Sequence, residues 1–182
     1  KVYWAVVAGV PKPKQGRIST YLAKEEREDE SFMRIARHGE EGASHAVTCA
    51  AGMDALVIAL MAKGIGPGDA VFTTPFTFMA SAEAIAIVGA TPIFVDIRQD
   101  SFNIDPDALG RAIKALANAD PDIHPLPRLD RERLAALRPR GIIAVDLFGL
   151  PADYPAIDAL AAVHGLTVIE DAAQGFGARL NN

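Results

Sequence analysis

From residue 45 onward the chain repeats one unit: a short apolar run rich in β-branched residues, a polar or small residue, then a segment with helical apolar spacing. The runs are Ala70-Val71-Phe72-Thr73-Thr74, Pro92-Ile93-Phe94-Val95-Asp96, Ile142–Val145 closing on Asp146, and Leu166-Thr167-Val168-Ile169 leading into Glu170-Asp171. Strands that are apolar throughout, rather than at every second residue, are buried on both faces. The segments between them, Met53–Ala62, Met79–Val88, Asp105 to about Ala117, and Tyr154–His164, place apolar residues at helical intervals. Alternation of this kind predicts an α/β fold, a mostly parallel sheet flanked by helices.

The punctuation agrees. Gly64 and Gly66-Pro67-Gly68-Asp69 close the first helix, Gly89 the second and Gly165 the last, while Asp105-Pro106 supplies an acidic cap with Pro in the first turn. Residues 118–139 are rich in Pro, Asp and Arg and read as a surface excursion, with Leu129–Leu137 helical inside it. Residues 1–44 have a different character. Val2–Val7, Arg17–Leu22 and Met33–Arg37 are strand candidates, Pro11–Gly16 is a turn or loop, and the mixed-charge run Lys24–Glu30 reads as a solvated loop or ragged helix. The expected organisation is a short β-rich segment over 1–44 and an α/β part over 45–182.

Composition narrows the function classes. Half of the residues are hydrophobic and 23% charged, which suits a packed interior and not a disordered chain. The net charge of −5 argues against RNA or DNA binding through a basic surface. Cys49 is the single cysteine, so no internal disulfide forms, which fits a reducing, cytoplasmic setting. No apolar run reaches the roughly 18–20 residues that span a bilayer. The histidines His38, His45, His124 and His164 are scattered without zinc-site spacing, so no metal is expected. The chain begins with Lys1 and stops at Leu180-Asn181-Asn182, and on that ground it reads as a piece of something longer.

Open α/β sheets bind ligands outside the carboxyl ends of their strands, and several candidate residues fall there. Asp171 is a ligand contact or the cap of the following turn. Ala51-Gly52-Met53 opens a helix, where free backbone N–H groups and the helix dipole suit an anion; equally, Gly52 makes a tight turn. Phe78, in Phe76-Thr77-Phe78, stacks on a flat heterocycle or packs into the core.

The runs HAVTCAAGMDAL (His45–Leu56), IGPGDAVFTTPFTFMASAEAIAIVGATPIFVDI (Ile65–Ile97), FNIDP (Phe102–Pro106) and VIEDAAQGFGA (Val168–Ala178) resemble the DegT/DnrJ/EryC1/StrS aminotransferases. That resemblance implies the aspartate aminotransferase fold type I, pyridoxal 5'-phosphate (PLP) as cofactor, and transamination of a nucleotide-linked keto-sugar in amino-sugar biosynthesis, with glutamate as amino donor and a homodimer in the full-length family. It covers residues 45–182, the N-terminal part of the large domain. By the same resemblance Asp171 pairs with the pyridinium nitrogen, Gln174 hydrogen-bonds near the phenolic oxygen, Phe78 stacks on the ring, and Ala51, Gly52 and Met53 cradle the phosphate.

Two departures stand out. Met53 replaces the family's usual Thr, whose hydroxyl helps hold the phosphate. The Schiff-base lysine of the family is expected downstream of Asn182, since residues 45–182 contain only Lys63 and Lys114; the chain by itself is expected to be inactive. Residues 1–48 (KVYWAVVAGVPKPKQGRISTYLAKE and MRIARHGEEGASHAVT) resemble an RluA-type RNA pseudouridine synthase, with Lys1 and Tyr3 in that family's Lys-x-Tyr element and its catalytic aspartate upstream. The two resemblances share His45-Ala46-Val47-Thr48. The alternative reading is therefore a pseudouridine synthase fragment, or a chimeric or truncated product without function.

Overall fold

The computed structural model describes residues 19–27, 30–36, 44–47, 49 and 51–175. The expected strand Val2–Val7, the Lys1 and Tyr3 element, the Pro11–Gly16 loop and the last three residues of the Val168–Ala178 run lie outside them. Two compact units divide the chain, one of Tyr3–Ala50 and one holding Ala51–Asn182.

The smaller unit contains strands β1 (Ser19–Arg27), β2 (Glu30–Ala36) and β3 (Ser44–Val47), all antiparallel, in the order β2-β1-β3. Within the Lys24–Glu30 run, Lys24–Arg27 and Glu30 are thus strand and not loop or ragged helix. Lys24 pairs with Met33, Glu25 with Phe32 and Glu26 with Ser31. Charge along a segment says only that its side chains favour water; the strand state comes from backbone bonds supplied by a neighbour. His45 and Ala46 pair with Tyr21 and Thr20, so the parallel repetition begins after them.

The larger unit runs α1 (Gly52–Ala62), β4 (Asp69–Thr73), α2 (Ala80–Ile87), β5 (Thr91–Phe94), α3 (Pro106–Asn118), α4 (Arg131–Ala136), β6 (Arg138–Val145), α5 (Tyr154–His164) and β7 (Thr167–Asp171). Its four strands are all parallel, in the order β5-β4-β6-β7. The chain winds outward from β4 to β5, then returns past β4 to β6 and β7. The winding therefore reverses between β4 and β6, the kind of place where open α/β sheets form a ligand crevice.

Both faces of this sheet are covered, which is why its strands are apolar throughout. On one face Ala70, Phe72, Ile93, Val95, Ile142 and Ala144 pack with Leu109, Ile113 and Leu116 of α3 and with Ile157 and Ala161 of α5. On the other, α1 and α2 lie against each other, burying Leu56, Leu60, Ala84 and Ile85. Val71, Ile143 and Ile169 are fully buried in the strands, and a side chain of that size contributes about 1.5–3 kcal/mol on burial.

The caps follow the sequence. Asp105 accepts from Asp107 N at 2.9 Å with Pro106 opening α3, and Asp153 accepts from Ala156 N at 3.2 Å to start α5. Gly165 ends α5 at φ 65, a left-handed position that glycine takes without strain. One boundary moves. The expected excursion over 118–139 gives up Arg138 and Pro139 to β6, where a register shift opposite Ala70 and Val71 accommodates a residue with no N–H. Within that excursion His124 is buried with Nε2 2.8 Å from the Phe94 carbonyl oxygen; a carbonyl only accepts, so Nε2 carries the proton.

Candidate active site

Parallel strands bring all their carboxyl ends to one edge. Each helix that leads into a strand runs the opposite way, so the N-termini of α1 and α2 lie at that same edge. At the opposite, amino edge, Arg138 Nη2 meets the buried Asp69 at 2.8 Å and Arg140 donates to the Lys63 carbonyl at 3.4 Å. The carboxyl edge gathers Asp171, Ser81, Phe78, Gln174 and the start of α1.

Asp171 is the last residue of β7, paired to Val145, and not a residue beyond the strand's end. Its carbonyl accepts from Asp146 N at 3.1 Å, and this bond carries the ladder through two acidic residues. Its carboxylate has two partners: Oδ2 accepts from Ser81 Oγ at 3.0 Å, and Oδ1 from Ala173 N at 3.4 Å. One oxygen caps the turn; the other is tied across the edge to the first turn of α2. Ser81 is 1% exposed, so its hydroxyl is shielded from water and stays aimed at the carboxylate.

At the start of α1, Ala51 occupies the N-cap in extended conformation without a side-chain cap, and the first turn carries Asp54. The first N–H groups of a helix have no intrahelical partner. Among the described residues, a Cβ built on Gly52 meets nothing within 4 Å. The sulfur of Met53 offers no hydrogen to an anion.

Phe78 is 76% exposed, which removes core packing as its explanation. Its backbone carbonyl accepts from Ser81 N at 3.4 Å, so the ring is set one turn from the Ser81–Asp171 bond. Gln174 is exposed, and its Oε1 accepts from Phe148 N at 2.8 Å. Since that N–H can only donate, the amide is oriented with oxygen bound and the NH2 group left over.

The loops after β6 and β7 are laced together. The buried Asp146 accepts from Ala152 N at 3.1 Å and from Tyr154 Oη at 2.7 Å. Burial, and next the Asp146 charge, push the Tyr154 phenol far above its usual range, so it stays a donor. A Cβ on Gly149, at φ 82, would lie 3.0 Å from the Gln174 carbonyl oxygen, and one on Gly175 3.1 Å from Asp146.

The other strand-end residues serve locally. Thr74 Oγ1 accepts from Phe76 N at 3.1 Å, and exposed Asp96 accepts from its neighbour Ile97 N at 2.8 Å. Thr73 Oγ1 is buried without a partner among the described residues. Those residues include no cluster of metal-ligating side chains and no helix long and apolar enough to cross a membrane. Ser81, Asn103 and Tyr154 were not legible as site residues. Ser81 gave one hint, as the lone hydroxyl in the Ala-rich first turn ASAE of its helix.

The sequence profile of the DegT/DnrJ/EryC1/StrS aminotransferase family matches residues 35–182. The chain belongs to that family. It is 38% identical over 167 residues to the UDP-2-acetamido-2-deoxy-3-oxo-D-glucuronate aminotransferase of Pseudomonas aeruginosa, covering 82% of the chain and 40% of that protein. It is 45% identical over 143 residues to the UDP-N-acetyl-3-dehydro-alpha-D-glucosamine 3-aminotransferase of Acidithiobacillus ferrooxidans, covering 79% and 33%. Among solved structures, a family aminotransferase from Brucella abortus superposes with a TM-score of 0.61 at 48% identity, covering 71% of this chain and 31% of that one. NtdA from Bacillus subtilis, solved with bound cofactor PMP, gives a TM-score of 0.56 at 28% identity, with coverage of 87% and 25%. The chain thus spans roughly a third of the length of these relatives. The family match reaches back to residue 35, into the run assigned above to a pseudouridine synthase, and that second resemblance finds no support among these relatives.

Proposed function

We propose that this chain carries the cofactor-binding part of a PLP-dependent aminotransferase acting on a nucleotide-linked keto-sugar, with residues 45–182 as the N-terminal part of its large domain. Aminotransferases of this family depend on PLP, and the reading is supported most by one observation: the Asp171 carboxylate at a parallel strand's carboxyl end, held by the buried Ser81 hydroxyl. The residues fit the group. An open helix N-terminus suits its phosphate, an exposed aromatic ring its face, and a carboxylate its ring nitrogen.

Bound there, PLP supplies an electron-withdrawing ring that takes up the charge left when the carbon bearing the amino group loses its proton. Asp171 keeps a proton on the ring nitrogen, because an adjacent negative charge favours the protonated form. Ser81 holds that carboxylate in one orientation. Gln174 presents its NH2 group to the phenolic oxygen. Phe78 covers one ring face and keeps water from it. Ala51, Gly52 and Met53, at the start of α1, would receive the phosphate, assisted by the helix dipole. In this reading the amino donor is glutamate and the assembled protein a homodimer.

Lys63 closes α1 toward the amino edge, and Lys114 is exposed on α3. Neither is placed to reach the cofactor, so neither is expected to bond to it covalently. The test is a PLP titration followed by absorbance, then borohydride reduction and peptide mapping. Saturable binding that Asp171→Asn abolishes, with no pyridoxyl group on Lys63 or Lys114, is the expected result. Binding unaffected by Asp171→Asn would overturn the reading.

A further inference from the structure

The turn that meets Gln174 has an unusual conformation for its sequence. Leu147–Gly149 forms a 3-10 turn in which Phe148 takes φ 57 and ψ 20, and its ring is 73% exposed. A bulky aromatic gains nothing from that left-handed region, which strains any non-glycine residue. Something outside the turn must hold it.

That hold is the side chain of Asn103, which the cofactor reading leaves without a role. Asn103 is 3% exposed and comes from the loop before α3. Its Oδ1 accepts from Leu147 N at 3.0 Å and its Nδ2 donates to the Leu150 carbonyl at 2.8 Å. The two bonds grip the turn on either side of Phe148. Both polarities are dictated by the backbone groups, so the amide has one possible orientation. With the turn gripped, the Phe148 N–H faces Gln174 Oε1 at 2.8 Å.

We propose that Asn103 is a positioning residue: through the strained Phe148 turn it fixes the Gln174 amide with its oxygen engaged and its NH2 group presented to the ligand. Without the Phe148 N–H, an exposed glutamine amide flips freely, and half of its orientations offer an oxygen to an electron-rich ligand atom. The inference rests on the cofactor reading for the identity of the ligand, but the grip itself does not.

The experiment uses the full chain and two readouts. Amide hydrogen exchange at Leu147 and Phe148 reads the grip without any ligand; PLP titration by absorbance reads its consequence. Asn103→Leu, which keeps the bulk and removes both bonds, is expected to speed exchange at both amides about tenfold or more and to weaken PLP binding several-fold. Asn103→Asp keeps the acceptor for Leu147 N and is expected to retain most protection there, which serves if the leucine variant unfolds. In a Gln174→Ala background, Asn103→Leu is expected to cost no further PLP affinity, because a residue acting through Gln174 has nothing left to orient. Unchanged exchange in both Asn103 variants would overturn the grip. A full additive loss in the Gln174→Ala background would overturn the positioning role. If exchange responds as expected but wild-type chain binds no PLP, the grip stands and the cofactor reading falls.

Discussion

Ser81 Oγ and Asp171 Oδ2 lie 3.0 Å apart although the residues are 90 positions distant in sequence. The bond joins the first turn of one helix to the end of a strand two places across the sheet, so it exists only once the parallel sheet is assembled. A hydroxyl hydrogen bond to a charged group is worth about 1.5–3 kcal/mol. Ser81→Ala fills the same space without the donor; its PLP dissociation constant is expected to rise about 10-fold, measured by absorbance titration. An unchanged constant would show that Asp171 needs no support from α2.

Met53 invites the opposite change. Met53→Thr places a hydroxyl in the first turn of a helix whose N-cap offers no side-chain bond. One added hydrogen bond of about 0.5–1.5 kcal/mol predicts a gain of about 2- to 13-fold in affinity for inorganic phosphate, read by isothermal calorimetry. No gain would mean that the phosphate does not sit on this turn.

Phe78 is exposed enough that its removal leaves the core intact. Phe78→Ala is expected to shift the thermal midpoint by no more than about 2 °C, since surface changes stay within about 0.5 kcal/mol. PLP affinity should nevertheless drop severalfold. A large loss of stability with unchanged affinity would assign the ring to packing.

Gly149→Ala tests the lacing of the two loops. At φ 82 with the Gln174 carbonyl oxygen 3.0 Å from a built Cβ, alanine meets both backbone strain and a contact with rigid main chain. A loss of about 1–3 kcal/mol is expected in urea unfolding.

Tyr154 carries a pH signature. Its phenol is held neutral by burial and by Asp146, so its folded value lies above the unfolded value near 10. A group raised in this way stabilises the fold fully below the unfolded value and loses that contribution as pH rises beyond it. Wild-type chain should therefore lose stability above about pH 10. Tyr154→Phe is expected to be less stable at neutral pH by about 1.5–3 kcal/mol, from the lost bond to Asp146, and to show a flatter alkaline decline. Circular-dichroism melts from pH 8 to 11 make the comparison.

The exposed Arg98–Asp100 pair behaves differently. The guanidinium hydrogen bond holds the Asp100 carboxyl at about 2, below its ordinary 3.8. Its effect is present above the unfolded value and is lost only as pH falls toward 2.

The apolar runs at Ala70–Thr73, Ile142–Val145 and Leu166–Ile169 determined by themselves that this chain builds a parallel sheet covered on both faces, because burial is written residue by residue in hydropathy. The same holds for the helix caps at Asp105 and Gly165, whose bonds span four residues or fewer. Asp171, Gln174, Phe78 and the start of α1 were legible as candidates from position and resemblance. What they touch was not. The strand state of Lys24–Glu26, the extension of the last strand through Asp171, the role of Ser81 and the grip of Asn103 on the Phe148 turn all depend on partners 5 to 90 positions away. A local pattern carries no information about which distant backbone or hydroxyl will arrive; the order β5-β4-β6-β7 brings Asp171, Ser81 and Asn103 to one edge.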